Sequence, residues 1–442
     1  MRPDMHGSVG IPPQRHLVLG LLAAVGLVLA ACAPVVNVPP RVATSGWHLA
    51  WRAETAFPIV TATPTSCRFL AKLSSAGTRL QAEFSGQANP RGYTILGASV
   101  ALPTGPTSLT VAPGSSIPLT FGGKPGVTVG PGARIVSDSV PFVTVDNGPV
   151  LVTVSASAGD AYGKGELSEP GGCSASSVVP SAAAAPASAF AARPGYVRWL
   201  RSLLVDGPPQ RSTAVLGDSI TEGPGPQVMG NYPRWTDVLT VGGSDVVNAG
   251  VGGNALTRTG MFGTASGESR ATALLAEPNL TDLVICLGTN DLVFGASGQQ
   301  VLDSIDRVVA KARSLGVRTW VCTIAPRYRE GWTTYAENQR LLINNSVRGT
   351  WLKSRGASVI DVDAALRNPS IPHSMQAAYD SGDHIHPNVL GSYVIGLTAL
   401  HAMNLPAARP AGPAPTPSAT SPSPTSVPSS TLSQLAQLRL VL

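Results

Sequence analysis

Two kinds of hydrophobic pattern divide this chain. Between Trp47 and Cys173, short Val/Thr/Leu runs alternate with Gly/Pro/Ser turns, at 91–102, 107–111, 116–121, 126–129, 133–139 and 150–156. Turn signals at such short, regular spacing predict an all-β sandwich over 47–173, with no run long enough for a helix. From 211 to about 402 the pattern changes. Apolar runs at 213–216, 245–248, 282–287, 318–324 and 357–362 alternate with stretches of helical period at 232–239, 269–275, 298–314, 337–354 and 390–402. Repeated β-α alternation predicts a parallel sheet covered by helices on both faces. The helix over 298–314 is the clearest. Val301, Ile305, Val308, Val309 and Ala312 fall on one face, and Gly316 stops it.

Between and around these regions the pattern fails. Residues 174–194 are rich in Ala, Ser and Pro and read as a linker. The stretch 195–205 is amphipathic, carries Tyr196, Trp199 and Leu200, and is expected as a short helix or edge segment on the following domain, taken as 195–404. The tail, 405–442, is dominated by Pro, Ala, Ser and Thr; from 406 to about 430 it lacks the apolar surface to order itself, and the more apolar 431–442 is the one stretch of it that could dock as a short helix. At the other end, Arg15 and His16 precede an apolar run, 17–31, too short for a permanent span. Residues 1–32 therefore read as an export signal. The run closes on Leu29-Ala30-Ala31-Cys32, which resembles the bacterial lipoprotein box, with Cys32 as the lipidated first residue. Residues 33–46 would be the tether. The plainer alternative is a secretory signal cleaved after a small residue.

Composition refines this picture. A length of 442 residues with 43% hydrophobic content supports more than one core, and 47 Gly with 39 Pro agrees with many turns. The net charge of +6 is spread thinly, which suits anionic envelope surfaces and not nucleic acid. Export implies an oxidising compartment. A Cys67–Cys173 disulfide is expected to close the sandwich, contributing about 4–5 kcal/mol in the chain-entropy model. Cys286 and Cys322 fall in adjacent predicted strands and are expected as buried free thiols, because bridging neighbouring parallel strands needs unusual geometry. No spacing resembles a metal site, and no cofactor is expected.

Candidate chemistry gathers at the ends of the predicted parallel strands. The first run, 213–216, ends in Gly217-Asp218-Ser219, placing the Ser219 hydroxyl past a strand's carboxyl end, where open α/β sheets bind ligands. A Ser hydroxyl needs a base, usually His, oriented by a carboxylate. Asp383-His384-Ile385-His386 precedes the last helix, and Asp383 can reach the His386 ring from the same short turn. His384 and Asp380 are the rival base and carboxylate. Donors for an oxyanion come from two further loops. Asn248-Ala249-Gly250-Val251-Gly252-Gly253-Asn254 allows close backbone approach, and Gly288-Thr289-Asn290-Asp291 offers the Asn290 amide. Asp218 and Asp291 read as structural residues, bonding loop N–H groups or capping a helix.

These four segments resemble, in order and spacing, the four blocks of the SGNH (GDSL-type) hydrolases, over about 211–402. The resemblance implies a flavodoxin-like α/β/α three-layer sandwich behind the β-sandwich domain. It implies Ser219 as nucleophile, His386 as base and Asp383 as its orienter. The oxyanion hole would comprise the Ser219 N–H, the Gly253 N–H and the Asn290 side chain. The expected function is an exported serine esterase that deacylates an O-acylated envelope glycan or similar carbohydrate ester, held at the membrane through Cys32. A lipase or acyltransferase working on envelope lipids is the second reading. A non-catalytic glycan-binding lipoprotein is the third.

Overall fold

The computed structural model describes residues 39–405 apart from 42–45, 53, 55–56, 61–63, 87–90, 147, 158–160, 166–170, 175–182, 184, 193–196, 209–210, 224–233 and 242–243. The expected export signal with Cys32, most of the expected tether, much of the expected linker and nearly all of the tail lie outside the described residues.

The first half of the described chain consists of strands: β1 (Gly46–Arg52), β2 (Phe57–Val60), β3 (Thr65–Lys72), β4 (Gly77–Ser85), β5 (Tyr93–Ala101), β6 (Ile117–Leu119), β7 (Val127–Val129) and β8 (Arg134–Val136). There follow β9 (Val140–Thr144), β10 (Pro149–Ala156), β11 (Ala161–Gly165), β12 (Gly171–Ser174), β13 (Ala191–Ala192), β14 (Val197–Arg198) and β15 (Leu200–Gly207). One antiparallel sheet runs β1-β15-β4-β8 with β9 beside β4, a second runs β13-β12-β3-β10-β5-β6 with β7 beside β5, and a small third runs β14-β11-β2. Phe69, Ile95 and Val152 from the second sheet pack on Leu80, Phe84 and Leu203 from the first, which is the sandwich core. Cys67 and Cys173 face each other across β3 and β12 and are bonded, as expected from the sequence.

Three expectations change here. The run 107–111 forms no strand and contributes only an isolated bridge, Pro103 to Val111. The described part of the stretch 195–205, from residue 197 on, forms strands and no helix. Its β15 portion lies inside the sandwich sheet, between β1 and β4, because Leu203 and Val205 recur with period two and enter the sandwich core. The end of the expected linker is also ordered: Phe190 is buried and β13 pairs with β12.

The second half alternates as predicted. Strands β16 (Arg211–Gly217), β17 (Ser244–Gly250), β18 (Asp282–Cys286), β19 (Arg318–Cys322) and β20 (Ala357–Ile360) form a parallel sheet in the order β17-β16-β18-β19-β20, the flavodoxin-like order. The helices are α1 (Ser219–Glu222), α2 (Trp235–Val241), α3 (Gly267–Leu275), α4 (Thr289–Val293), α5 (Gly298–Ser314), α6 (Thr334–Arg348), α7 (Thr350–Lys353), α8 (Val362–Leu366) and α9 (Val389–Ala402). Leu274, Val301, Ile305, Val309 and Ile343 bury one face of the sheet, while Trp235, Val238, Leu366, Ile395 and Ala399 bury the other. Ser297 and Gln300 form a capping box that starts α5.

Cys286 and Cys322 are bonded to each other, contrary to the expectation of free thiols. Pairing of β18 with β19 ends at Ile285 and Val321, so the two cysteines stand one step past the ladder with Cα atoms 4.9 Å apart. That separation is within the ordinary disulfide range.

The sandwich and the α/β domain share buried polar contacts. Ser75 donates to Asp245 at 2.6 Å, and the Asn279 amide donates to the Trp47 carbonyl at 2.8 Å. Arg41 donates from its backbone to the Gly316 carbonyl and from its side chain to that of Leu315, at the end of α5 away from the loops described next.

Candidate active site

Loops at the carboxyl ends of the parallel strands bring the sequence-marked residues together. Strand β16 ends at Gly217, and α1 begins at Ser219 with Asp218 as its N-cap, accepting from the Ile220 N–H at 3.0 Å. The backbone of α1 crosses so close to β17 that a Cβ at Gly250 would overlap Thr221 and Glu222. Asn248 fixes this crossing: its amide donates to the Thr221 carbonyl and its oxygen accepts from the Gly250 N–H.

The Ser219 Oγ lies 2.8 Å from His386 Nε2, and His386 Nδ1 lies 2.6 Å from Asp383 Oδ2. With the ring proton on Nδ1, the hydroxyl donates to Nε2. Burial pushes the Asp383 carboxyl upward, but hydrogen bonds from the His386 backbone and ring and from the Ile385 N–H outweigh it. The net position is well below the usual carboxylate range. The rivals pair with each other instead: His384 Nδ1 is 2.6 Å from Asp380, on an exposed turn where His384 has φ 61°. Asp218 is different. Burial raises its pKa to about 6, partly offset by the Ile220 N–H and the His386 charge.

The two donor loops are stitched to the same place. The Val251 N–H donates to the Gly217 carbonyl at 3.1 Å, and the Gly252 N–H to Glu222 at 2.9 Å. Gly253 has φ 67°, a left-handed conformation that favours glycine, and a Cβ there would meet Met261. The Asn290 amide donates to the Asn254 carbonyl at 2.9 Å. Its second N–H remains for a ligand. Among the described residues, the N–H groups of Ser219 and Gly253 take no hydrogen bond. Asp291 does not cap a helix with its side chain; it accepts from the Leu256 and Thr257 N–H groups and the Thr257 hydroxyl. An oriented hydroxyl, an imidazole and unspent donors on adjoining loops can attack a carbonyl and hold the charge that develops on its oxygen.

Residues 215–393 match the family model described as GDSL-like lipase/acylhydrolase. This region is a GDSL-like acylhydrolase domain. It contains Ser219, Gly253, Asn290, Asp383 and His386. Among curated proteins, none matches the chain. Among solved structures, this chain is similar to a putative lipolytic protein of the G-D-S-L family from Desulfitobacterium hafniense: 21% identity, 43% of this chain and 98% of that one, TM-score 0.36. It is also similar to Est24, a carbohydrate acetylesterase from Sinorhizobium meliloti: 16% identity, 44% and 100%, TM-score 0.37. A third is a putative arylesterase from Agrobacterium tumefaciens: 20% identity, 44% and 98%, TM-score 0.35.

Several further residues of this site carry no motif in the sequence. Arg270 on α3 donates to Asn254 Oδ1 at 2.8 Å and to the Ala249 carbonyl at 2.5 Å, supporting the Gly253 loop from below. It also pairs with Glu54 of the sandwich domain at 3.5 Å. Burial pushes Glu54 upward, but Arg52, Arg270 and Arg201 together hold its pKa at about 2. Arg327 follows β19 and reaches the Thr289 hydroxyl at 3.4 Å, next to Asn290. Only the rule that strand ends carry function could have pointed to Arg327, since no motif surrounds it.

Proposed function

We propose that this protein is an exported serine esterase that removes acyl groups from an O-acylated envelope glycan or similar carbohydrate ester. Cys32 would anchor it at the outer face of the membrane. The observation that carries the reading is the continuous chain Ser219–His386–Asp383, with hydrogen bonds of 2.8 and 2.6 Å.

In this reading Ser219 Oγ attacks the ester carbonyl while His386 Nε2 takes its proton. Asp383, held ionised by its N–H donors, keeps the ring in the right tautomer and stabilises the imidazolium. The oxyanion of the tetrahedral intermediate is met by the Ser219 N–H, the Gly253 N–H and the Asn290 amide. Collapse of the intermediate expels the sugar alkoxide, which takes the proton from His386. Water, deprotonated by His386, then releases the acid and restores the Ser219 hydroxyl.

A carbohydrate acceptor is favoured over lipid by the rim. Tyr328 is exposed, with its ring centroid 5.1 Å from that of His373, and the Tyr328 N–H donates to the His384 carbonyl. A flat aromatic face tied to the catalytic loop suits a sugar ring. The testing experiment is an acyl-chain series on acylated sugars and on long-chain lipid esters, with Ser219→Ala as control. Short-chain acyl sugars are the expected substrates, with a loss of roughly 10⁴–10⁶-fold in the variant. Cleavage of long-chain lipid esters alone would move the substrate to lipid, and undiminished turnover by Ser219→Ala would remove the mechanism.

A further inference from the structure

The acylhydrolase site holds a guanidinium that no structural role consumes. Other buried arginines among the described residues spend their donors. Arg52 pairs with Glu54 and Glu277, Arg201 with Glu83 and Glu277, and Arg340 with Glu337 and Asp363. Arg68 donates to Thr153 and to three backbone carbonyls.

Arg327 departs from this pattern. Its Nε is buried and has no hydrogen-bond partner, and its Nη1 makes a single long contact, 3.4 Å, with Thr289 Oγ1. No carboxylate among the described residues lies within ion-pair distance of it. It is held from one side by the Trp332 ring, 5.2 Å away. Its charge acts on Asp218 and Asp383, yet Asp383 is already engaged by His386, Ile385 and Ser381, and Asp218 by Ile220. A half-buried cation with unused, directional donors is costly to keep unless something pairs with it.

Its surroundings say what that partner is. Arg327 lies between the Asn290 loop and the Asp383 loop, so a group bound to it would be adjacent to the ester under attack. Tyr328, the next residue, presents the exposed aromatic face beside His373. Arg258, exposed over the Phe294 ring, and Arg329, also exposed, add positive charge on the rim. The acids on these loops are Asp291, engaged by Leu256 and Thr257, Glu330, Asp380 paired with His384, and Asp383 paired with His386.

We propose that Arg327 binds an oxyanion carried by the substrate next to the ester, so that the preferred substrate is an O-acylated acidic sugar. The inference rests on the esterase reading and adds the charge of the acceptor to it. A guanidinium and a carboxylate or phosphate form paired, charge-assisted hydrogen bonds, and stacking on Tyr328 would orient the ring that bears them.

The test compares kcat/KM on three acetylated sugars at low salt: a glucuronoside with its free carboxylate, the neutral methyl amide of the same glucuronoside, and glucose 6-phosphate. The expected preference of the wild-type protein for an anionic sugar over the neutral amide is about tenfold or more, equivalent to ~1.4 kcal/mol. Arg327→Gln should abolish that ratio, Arg327→Glu should invert it, and Arg327→Lys should keep part of it. Thermal melts establish that each variant is folded. A larger preference for the phosphate supports the oxyanion site and identifies the anion as phosphate. Equal turnover of charged and neutral sugars by the wild type, or an unchanged ratio in Arg327→Gln, overturns the inference. So does inertness to all three sugars while an activated neutral acetate is cleaved, and the esterase reading then stands. Inertness to that acetate as well removes the esterase reading itself.

Discussion

The Asp218 carboxyl is buried beside Ser219 with one hydrogen bond, from the Ile220 N–H, to hold its charge. Burial moves its pKa from 3.8 up to about 6. Between those two values the folded chain binds more protons at this site than the unfolded chain does. The contribution to stability is therefore fully present below pH 3.8 and lost as pH rises through about 6. Asp218→Asn keeps an oxygen for the Ile220 N–H and removes the titration. Melting curves should show the variant gaining on the parent above pH 6 and the gap closing towards pH 4. Its kcat should fall at the same time, because the negative charge near His386 favours the imidazolium that acyl transfer creates. A stability gain that is equal at both pH values would show that Asp218 does not titrate in this range. Asp218 was legible as a structural residue from the Gly-Asp-Ser turn. Its burial was not, because depth comes from α1 crossing over β17 and not from the turn.

The loop from Val251 to Thr257 has one internal backbone bond, from the Asn254 N–H to the Val251 carbonyl, and is otherwise held by its neighbours. Glu222 fixes Gly252, Asp291 fixes Leu256 and Thr257, and Arg270 fixes the Asn254 side chain. Arg270 is a positioning residue in this arrangement, and Glu54 of the sandwich supports it in turn. Arg270→Lys cannot reach Asn254 and the Ala249 carbonyl together. Loosening the loop should lower kcat by roughly 10–100-fold with little change in KM, since misplaced donors cost transition-state stabilisation first. A purely structural role would instead lower the melting temperature and leave kcat per folded molecule unchanged. Glu54→Gln should give the same kcat loss in weaker form. The elements of the parallel sheet were legible because β16 to β20 are short apolar runs and α5 keeps strict helical spacing. The sandwich was less so. Strands β3 and β4 bury Arg68 and Glu83 along with their apolar residues, so strict alternation fails. The site loops were legible from Ser219, Asn290, Asp383 and His386, whose types are dictated by the chemistry. Arg270, Glu222 and Arg327 were not, because they act through contacts that only the fold creates.

At the scale of the molecule, Glu277 joins the two domains. It follows α3 of the acylhydrolase domain and accepts from Arg52 of β1 at 2.7 Å, Arg201 of β15 at 2.8 Å and Arg134 of β8 at 3.3 Å. Arg201 also donates to both oxygens of Glu83. Burial pushes Glu277 upward, but the Arg52, Arg201 and Arg134 charges leave it below its ordinary 4.5. Glu54, in the same cluster, is held at about 2. A depressed carboxylate contributes stability that is present above its unfolded pKa and lost as pH falls through the folded value. The junction is thus firm above pH 4.5 and weakens on the way down to about 2. Without Glu277, Arg52 keeps only Glu54 while Arg201 and Arg134 share Glu83, so buried positive charge is left in excess. Glu277→Gln should cost about 3–5 kcal/mol at neutral pH, read from denaturant unfolding. The same variant should lose stability less steeply than the parent below pH 4.5, because one of the titrating groups is gone. If it instead unfolds in two separated transitions, with the acylhydrolase domain melting at its original temperature, the sandwich is merely attached. A single lowered transition, with esterase activity lost along it, makes the sandwich a part of the catalytic fold.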